Sequence, residues 1–590
     1  MSLQFKLIPN YQEIFQDEAP DLNELLDEIP FLVIIEMAAI ISSELYMTKN
    51  ENESQRKIWN ILSFRFPSTE KERIEYQFFK FKKKTNIEHL EIFTEYYLLE
   101  LIQYALLNYK DHHIEDTRPI DELNIFKSYL IIVEQTQSRD TLAYEKNRKP
   151  VSEKDGDLED FFQKSTWAML IKQMSVSYKI NVRYEFIKSL LFFQYLEKDF
   201  KDYLTKYLEY LNIATTWEVV AIYLSLINSG FDQKITLNQE QISSPVFFDL
   251  PESHKKILDS IAIDTDFTKS IDLNKNIDLN DKVTYDFLMI RDKPIFKAPN
   301  GFYFVLSWQF FQEKLSKSLI FDFYNISGIN EKIKTFRDFL NEKAFNFTEK
   351  EFFKSLISNI FKGKYDVVKF DDSIPKKDGD PDCYVRIGKY IFLFELKDNL
   401  MPSKAIEGQS YDELTKDYKK KLVRNEKGKA EGIGQLLKTI ESLNQKCYDF
   451  DLFEKKGLKR KNMVVFPIIV YTDRNYSLPG LQNFLRQKFN TRKNKNHNFS
   501  KLEETIMIDL ETFFDLIHSK LSHNFKDYCT NYNKKIKDSD KDFLRNKSME
   551  NFHKRFDSFE QYMTKNFNFS KQITPFEQMY SLFNIELPKE

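Results

Sequence analysis

The densest chemistry in this chain lies in DGDPDCYVRIGKYIFLFELKD, residues 378–398. Asp382 opens one apolar run, a turn at Gly388-Lys389 follows, and a second apolar run ends in Glu395-Leu396-Lys397. Residues two apart on a strand point to the same side, so Glu395 and Lys397 share a face while Leu396 turns into a core. Hairpin pairing in the natural register brings Asp382 alongside them. Two carboxylates and an ammonium then converge, and charges that end a buried strand need partners or a metal. Such a set suits phosphodiester hydrolysis. Hard carboxylate oxygens hold Mg²⁺, which keeps several waters and also binds the phosphate. The ion acidifies a bound water, and an adjacent lysine orients that water and adds positive charge to the transition state.

The string PD…ELK, with Pro381 and both acids in place, resembles the signature of the PD-(D/E)xK nuclease superfamily over about residues 336–520. The resemblance implies Asp382 and Glu395 as metal ligands, the carbonyl of Leu396 as a third, and Lys397 as the catalytic lysine. It also implies a helix glutamate, for which FNFTEKEFF offers Glu349, with Glu351 as the alternative, and a glutamine on the following helix, Gln435 in GIGQLL. Where some exonuclease-like members carry a tyrosine four residues after that glutamine, this chain has Thr439. By the same resemblance the cofactor is Mg²⁺ or Mn²⁺, the substrate is DNA, and the activity is that of an endonuclease in microbial anti-phage defence or restriction. RNA cleavage at the same site, and a non-catalytic nucleic-acid-binding or scaffold protein that keeps the fold, stay open beside it.

The elements that must position these residues are legible as patterns. YDVVKF, CYVRI, YIFLFEL and MVVFPIIVYT read as strands, the last two apolar enough to be buried on both faces. Phe347 to Phe361, GIGQLLKTIESL, LPGLQNFLRQKF and the end of IMIDLETFFDLIHSKL have helical spacing. Together they predict a mixed α/β sheet flanked by helices over residues 333–525, with a helical tail at 526–590 packed on it. YKKKLVRNEKGK, between the Lys397 strand and the Gln435 helix, reads as a loop able to close over substrate. Ahead of all this, residues 1–240 read as helical, with stripes such as Leu98, Leu101, Ile102, Ala105 and Leu106, and Leu196, Phe200, Leu204, Tyr207 and Leu211. Residues 245–332 read as a connecting layer, with a hairpin at Asn300-Gly301 and a helix from Trp308 to about Phe321. A 590-residue chain exceeds one ordinary core.

Charge is unevenly spread. Residues 1–60 hold eleven acidic side chains against four basic ones, while residues 454–495 hold eleven basic against two acidic. A polyanion is attracted to the second region, so Lys459, Arg460, Lys461, Arg486 and Lys488 are expected to meet nucleic-acid phosphates. The long helical N-terminal region offers a surface for self-association or for a regulatory partner. Three scattered cysteines make neither a disulfide framework nor a metal site. Asp111-His112-His113 with Glu115 and Asp116 reads as a solvated turn, and Gly428, Gly432 and Gly434 lack the Gly-Lys-Ser/Thr of a phosphate loop. No basic start followed by an apolar run opens the chain, and the apolar stretch Ile29 to Ser42 is short and holds Glu36. A cytoplasmic protein without membrane partners is expected.

Overall fold

Apolar runs without polar alternation need burial on both faces, and the two such runs of the second half lie side by side. In the computed structural model, Tyr390–Lys397 pairs in parallel with Val464–Tyr471, setting Glu395 opposite Ile469 and Lys397 opposite Tyr471. On its other edge Tyr390–Lys397 pairs antiparallel with Cys383–Ile387, which in turn pairs with Val367–Phe370. Gly388 supplies the left-handed residue of the tight connecting turn, at φ 54°. The outer side of Val464–Tyr471 carries Lys501–Leu502 at one end and Ile506–Asp509 at the other, completing a mixed six-stranded sheet. Pro467 sits within this central strand although proline cannot donate to a ladder. It stands where the outer neighbour is interrupted, between Leu502 and Ile506.

The structure describes residues 7–27, 29–108, 120–147, 158–232, 234–237, 240–270, 287–363, 365–371, 380–494, 496–569 and 573–587. The expected turn at 111–116 lies outside them, as does most of the polar stretch at 146–157. From 333 onward the order is helix, three strands, helices, strand, helix, two strands and helices. One helical run extends from Phe336–Lys343 through Ala344–Phe353 to Lys354–Phe361, its middle segment wound as a π-helix. Phe353 and Phe361 of this run pack on Phe394. Phe525, which opens the C-terminal helix Phe525–Arg545, packs on Phe392 and Phe394 of the same strand. Two helices therefore cover the face opposite to that of Glu395.

The chain divides into two units: Pro150–Ile171 with Ile333–Glu590, and Gln4–Lys149 with Lys172–Lys332. The division at Lys332/Ile333 coincides with the expected boundary, whereas the one expected near 240 is not a boundary between the units. In the first unit, the helix Leu158–Val176 brings Trp167, fully buried, among Tyr411, Tyr418 and Phe484, where its indole N–H donates to Pro479 O at 2.9 Å. Phe162 of the same helix stacks on Phe556 at 5.1 Å. A segment from the helical first half is thus part of the sheet-bearing unit.

In the second unit, Phe126 of the helix Asp121–Asn147 is ringed by Phe15, Trp59, Phe66, Phe78 and Phe93, all with centroids within 6.4 Å. The core they belong to also holds Phe296, Phe304, Leu306 and Phe310. The hairpin at Gly301, with Ile295–Lys297 against Tyr303–Val305, is present and sits within a four-stranded mixed sheet. It is not a separate connecting layer, because its apolar face completes the core of the helices. The helix expected from Trp308 to Phe321 is two helices, Trp308–Glu313 and Leu319–Ile326. The bend lets the buried Lys314 ammonium reach Asp322 at 3.0 Å. Among the described residues no single helix is long and apolar enough to cross a membrane.

Removing the Trp167 ring should leave a large cavity in the first unit. Trp167→Ala is expected to cost about 3–5 kcal/mol of that unit's stability, measured by chemical denaturation followed at a tryptophan-independent signal. A chain beginning near Ser244 lacks Trp167 and Phe162 altogether and is expected to be soluble only as a poorly packed species. Cooperative melting of that chain at the full-length temperature would contradict this.

Candidate active site

Cys383 lies opposite Phe394, so Asp382, one residue earlier, comes level with Glu395. Its carboxylate accepts the N–H of Leu396 at 2.6 Å. Two residues on, Lys397 Nζ donates to Glu395 Oε1 at 3.0 Å and to Gln435 Oε1 at 2.6 Å. The structure thus brings Asp382, Glu395, Lys397 and Gln435 together, and it adds Glu431, whose Oε2 lies 3.3 Å from Lys397 Nζ. Asp382, Glu395 and Lys397 are only 4%, 2% and 7% exposed. Burial alone would depress the Lys397 ammonium, but Glu395, Asp382 and Glu431 outweigh it and hold it above its ordinary value. Lys397 is therefore a cation across the physiological range.

Gln435 reaches the lysine because its helix starts unusually close to another backbone. It occupies the third position of Ile433–Gln445, where Gln435 Oε1 also accepts the N–H of Gly432 at 2.9 Å. A Cβ on Gly432 would come 2.5 Å from Leu422 O, and one on Gly434 would come 2.5 Å from Val423 O. The GIG sequence is the condition for this approach, not a phosphate loop. The backbone it abuts belongs to the helix Tyr411–Leu422 and a turn closed by an Arg424–Ala430 bridge. YKKKLVRNEKGK is accordingly not an open loop. Leu414, Tyr418 and Leu422 are buried at helical spacing, and the lysines of the last turn suit the helix C-terminus.

Behind the strand end sits a second buried cluster, which its pattern did not announce. Asp398 accepts from Thr348 Oγ1 and from Thr472 Oγ1, each at 2.6 Å, and pairs with Lys343 Nζ at 2.5 Å. Burial would raise the Asp398 carboxyl, but Lys343 and the two hydroxyls more than reverse this and hold it below its ordinary value. Thr348 and Lys343 belong to the long helix, so this carboxylate fastens that helix to the C-terminal ends of both central strands. Glu349 follows Thr348 and stands inside the π-helical segment, mid-helix, with Oε1 shielded from solvent. The helix expected over Phe347 to Phe361 begins earlier, at Phe336. Local π-winding of this kind recurs at functional positions. The only sequence signal for Asp398 was its place directly after Lys397.

The basic residues expected to meet phosphates do not gather here. Lys459, Arg460 and Lys461 precede Val464, at the opposite end of the sheet from Lys397, a strand length of roughly 23 Å away. Lys459 and Lys461 are exposed, whereas Arg460 donates to Asn444 O at 2.8 Å and pairs with Glu454. Arg486 is 6% exposed and pairs with Asp540 at 2.8 Å and with Glu504 at 3.6 Å. Lys488 lies over the Phe484 ring. Arg460 and Arg486 are thus structural ion-pair partners, Arg460 of the nearby Glu454 and Arg486 of acids that the chain folds onto it from other segments.

Among the described residues, no group of three His, Cys, Asp or Glu side chains is arranged as a metal cage. The donor chemistry of Asp382 and Glu395 nevertheless fits Mg²⁺ or Mn²⁺, since Mg²⁺ is commonly held by one or two carboxylates with waters and substrate phosphate. Leu396, between Glu395 and Lys397 on the strand, contributes its N–H to Asp382, and its carbonyl is a further oxygen of the kind such an ion takes. No family model, no curated protein and no solved structure matches this chain.

Two outcomes follow from this geometry. Lys343→Met should destabilise the first unit by about 3–5 kcal/mol, the scale for leaving one charge of a buried pair uncompensated. Lys343→Met with Asp398→Leu should recover much of that loss in the same denaturation experiment. Lys459→Glu with Lys461→Glu, so far from the cluster, should leave any turnover at Asp382 and Glu395 within about twofold of wild type. A larger loss in steady-state assays would place substrate across the whole sheet end to end.

Proposed function

We propose that the chain is a metal-dependent nuclease of the PD-(D/E)xK type that hydrolyses phosphodiester bonds of DNA. The observation that carries this is the convergence of Asp382, Glu395 and the fully hydrogen-bonded ammonium of Lys397 at the C-terminal end of a buried parallel strand pair. That end of an open α/β sheet is where ligands bind in general. The αβββαβ order around it, with the Gln435 helix on one face and the Phe336–Phe361 run on the other, agrees with the resemblance in PD…ELK.

In this reading Asp382 and Glu395 would hold the divalent ion, with the Leu396 carbonyl and Glu349 completing the oxygen set. The ion supplies Lewis-acid stabilisation and acidifies water. Lys397 carries the remaining work of this chain. Its ammonium would orient the attacking water and offer positive charge to the phosphoryl oxygens as the new P–O bond forms and the water gives a proton to solvent, while the sugar oxygen departs with its electron pair and takes a proton from solvent. Gln435 and Glu395 fix where that ammonium points, so little reorganisation is needed at the moment of reaction. Glu431, the longest of its three contacts at 3.3 Å, is the one a substrate phosphate displaces most readily. A role in defence against foreign nucleic acid, in a cytoplasmic setting, belongs to the same reading.

Purified full-length protein, given Mg²⁺ or Mn²⁺ with linear DNA, circular DNA and RNA, tests it. Cleavage of DNA is expected, and cutting of the circular form marks an endonuclease. Asp382→Ala, Glu395→Ala and Lys397→Ala should each lower the rate by about 10²-fold or more, with the fold retained by circular dichroism. Ca²⁺ should support binding without matching turnover, because its looser shell holds the water less well in line. Undiminished cleavage by Lys397→Ala would overturn the mechanism.

A further inference from the structure

Along Cys383–Ile387 and the residue before it, side chains alternate between faces. Asp382, Tyr384 and Arg386 fall on one face, and Tyr384 lies opposite Leu393, the face of Glu395 and Lys397. Tyr384 therefore stands about 7 Å along the strand from Asp382, two residues of rise. Over its ring lie two more aromatics. Tyr448 meets it edge-on at 5.7 Å and Phe450 at 5.3 Å, while Tyr448 and Phe450 stack on each other at 4.9 Å and only 9°.

This arrangement is rigid without any help from Phe450. Asp451 accepts the Tyr384 hydroxyl at 2.8 Å and is gripped by Arg386 at 2.6 Å and 3.1 Å, all of them buried. The segment carrying Tyr448 and Phe450 is thus pinned to the sheet by a two-pronged ion pair. Phe450 is nevertheless 39% exposed while Tyr384 beneath it is 1% exposed. A flat, fixed, partly exposed aromatic step remains, next along the strand from Asp382.

We infer that Tyr448 and Phe450 form a base-stacking subsite for an unpaired nucleotide of the substrate, adjoining the phosphate held at Asp382 and Glu395. The inference rests on the nuclease reading for the position of that phosphate. Every base presents a π-face, so aromatic stacking selects single-stranded or splayed nucleotides over duplex without reading sequence. A base in an intact duplex has both faces covered by its neighbours and cannot use the step. The substrate class is therefore nucleic acid with an unpaired nucleotide at the cleavage site: a single strand, a flap or a frayed end.

The test is equilibrium binding of full-length protein to a single-stranded oligodeoxynucleotide carrying 2-aminopurine, against the same strand in duplex, with Ca²⁺ in place of Mg²⁺. Quenching of the 2-aminopurine in the single strand is expected, with weaker duplex binding. Phe450→Ala should weaken single-strand binding by about 10-fold or more, the scale of one lost base–aromatic stack, and abolish the quench. Phe450→Trp should restore both, which a merely structural role for this ring would not require. Absence of a quench in wild type, or a quench indifferent to Phe450→Ala, overturns the subsite. Cleavage of the same oligonucleotide with Mg²⁺, and its loss in Lys397→Ala, reports separately on the nuclease reading. Quenching without cleavage keeps the subsite and removes the catalysis.

Discussion

An ammonium removed from water must find acceptors for its three protons, and at the end of a buried strand there are few ways to supply them. Lys397 takes one from its own strand, Glu395, one from the next helix, Gln435, and one from the turn before that helix, Glu431. Meeting this demand organises the whole end of the sheet. The Gln435 helix has to begin within reach, which forces its first residues against the backbone of Leu422 and Val423 and requires Gly432 and Gly434 there. Asp382 is held by the N–H of Leu396, so the second carboxylate is aligned by the same strand that carries the first.

The opposite face is secured by a separate buried charge. Asp398 gathers Lys343, Thr348 and Thr472, joining the long helix and both central strands at one point. A site held from both faces by hydrogen-bonded side chains on regular elements keeps its geometry better than one carried by loops. That is the physical content of the polar cluster here: each charge is expensive to bury, and Lys397 and Asp398 are both matched by partners from other elements. A third such pair, Arg386 with Asp451, acts on the neighbouring strand Cys383–Ile387 and fixes the aromatic segment beside the site.

Much of this is legible in the sequence. The runs YIFLFEL and MVVFPIIVYT announced strands buried on both faces by lacking polar alternation, and the two-residue periodicity put Glu395 and Lys397 on one face; that they pair in parallel is decided by the fold. Other readings failed for identifiable reasons. YKKKLVRNEKGK looked like a loop because its lysines mask that Tyr418 and Leu422 continue the buried helical stripe begun at Leu414, before the string. Arg460 and Arg486 looked like phosphate ligands because their acidic partners, Glu454, Glu504 and Asp540, are invisible as partners until the chain is folded. The helix bearing Glu349 was read from Phe347 onward because nothing in FNFTEKEFF marks that it has already run from Phe336.

What the sequence determined by itself is what local periodicity and hard chemistry can determine. It set the strands, the helices that flank them, the identity of Asp382, Glu395, Lys397 and Gln435 as a coherent set, and the tight turn at Gly388. Tertiary structure alone decided which distant residues answer those charges and which segments share a core. Glu431 and Asp398 became part of the site, the helix bearing Trp167 joined the sheet-bearing unit across more than 160 residues to Ile333, and the basic run fell at the far end of the sheet. The reason is one of range. Backbone geometry couples neighbours two to four residues apart, whereas a buried charge or an aromatic ring is satisfied by whatever the fold brings within a few ångströms, and no local pattern encodes that.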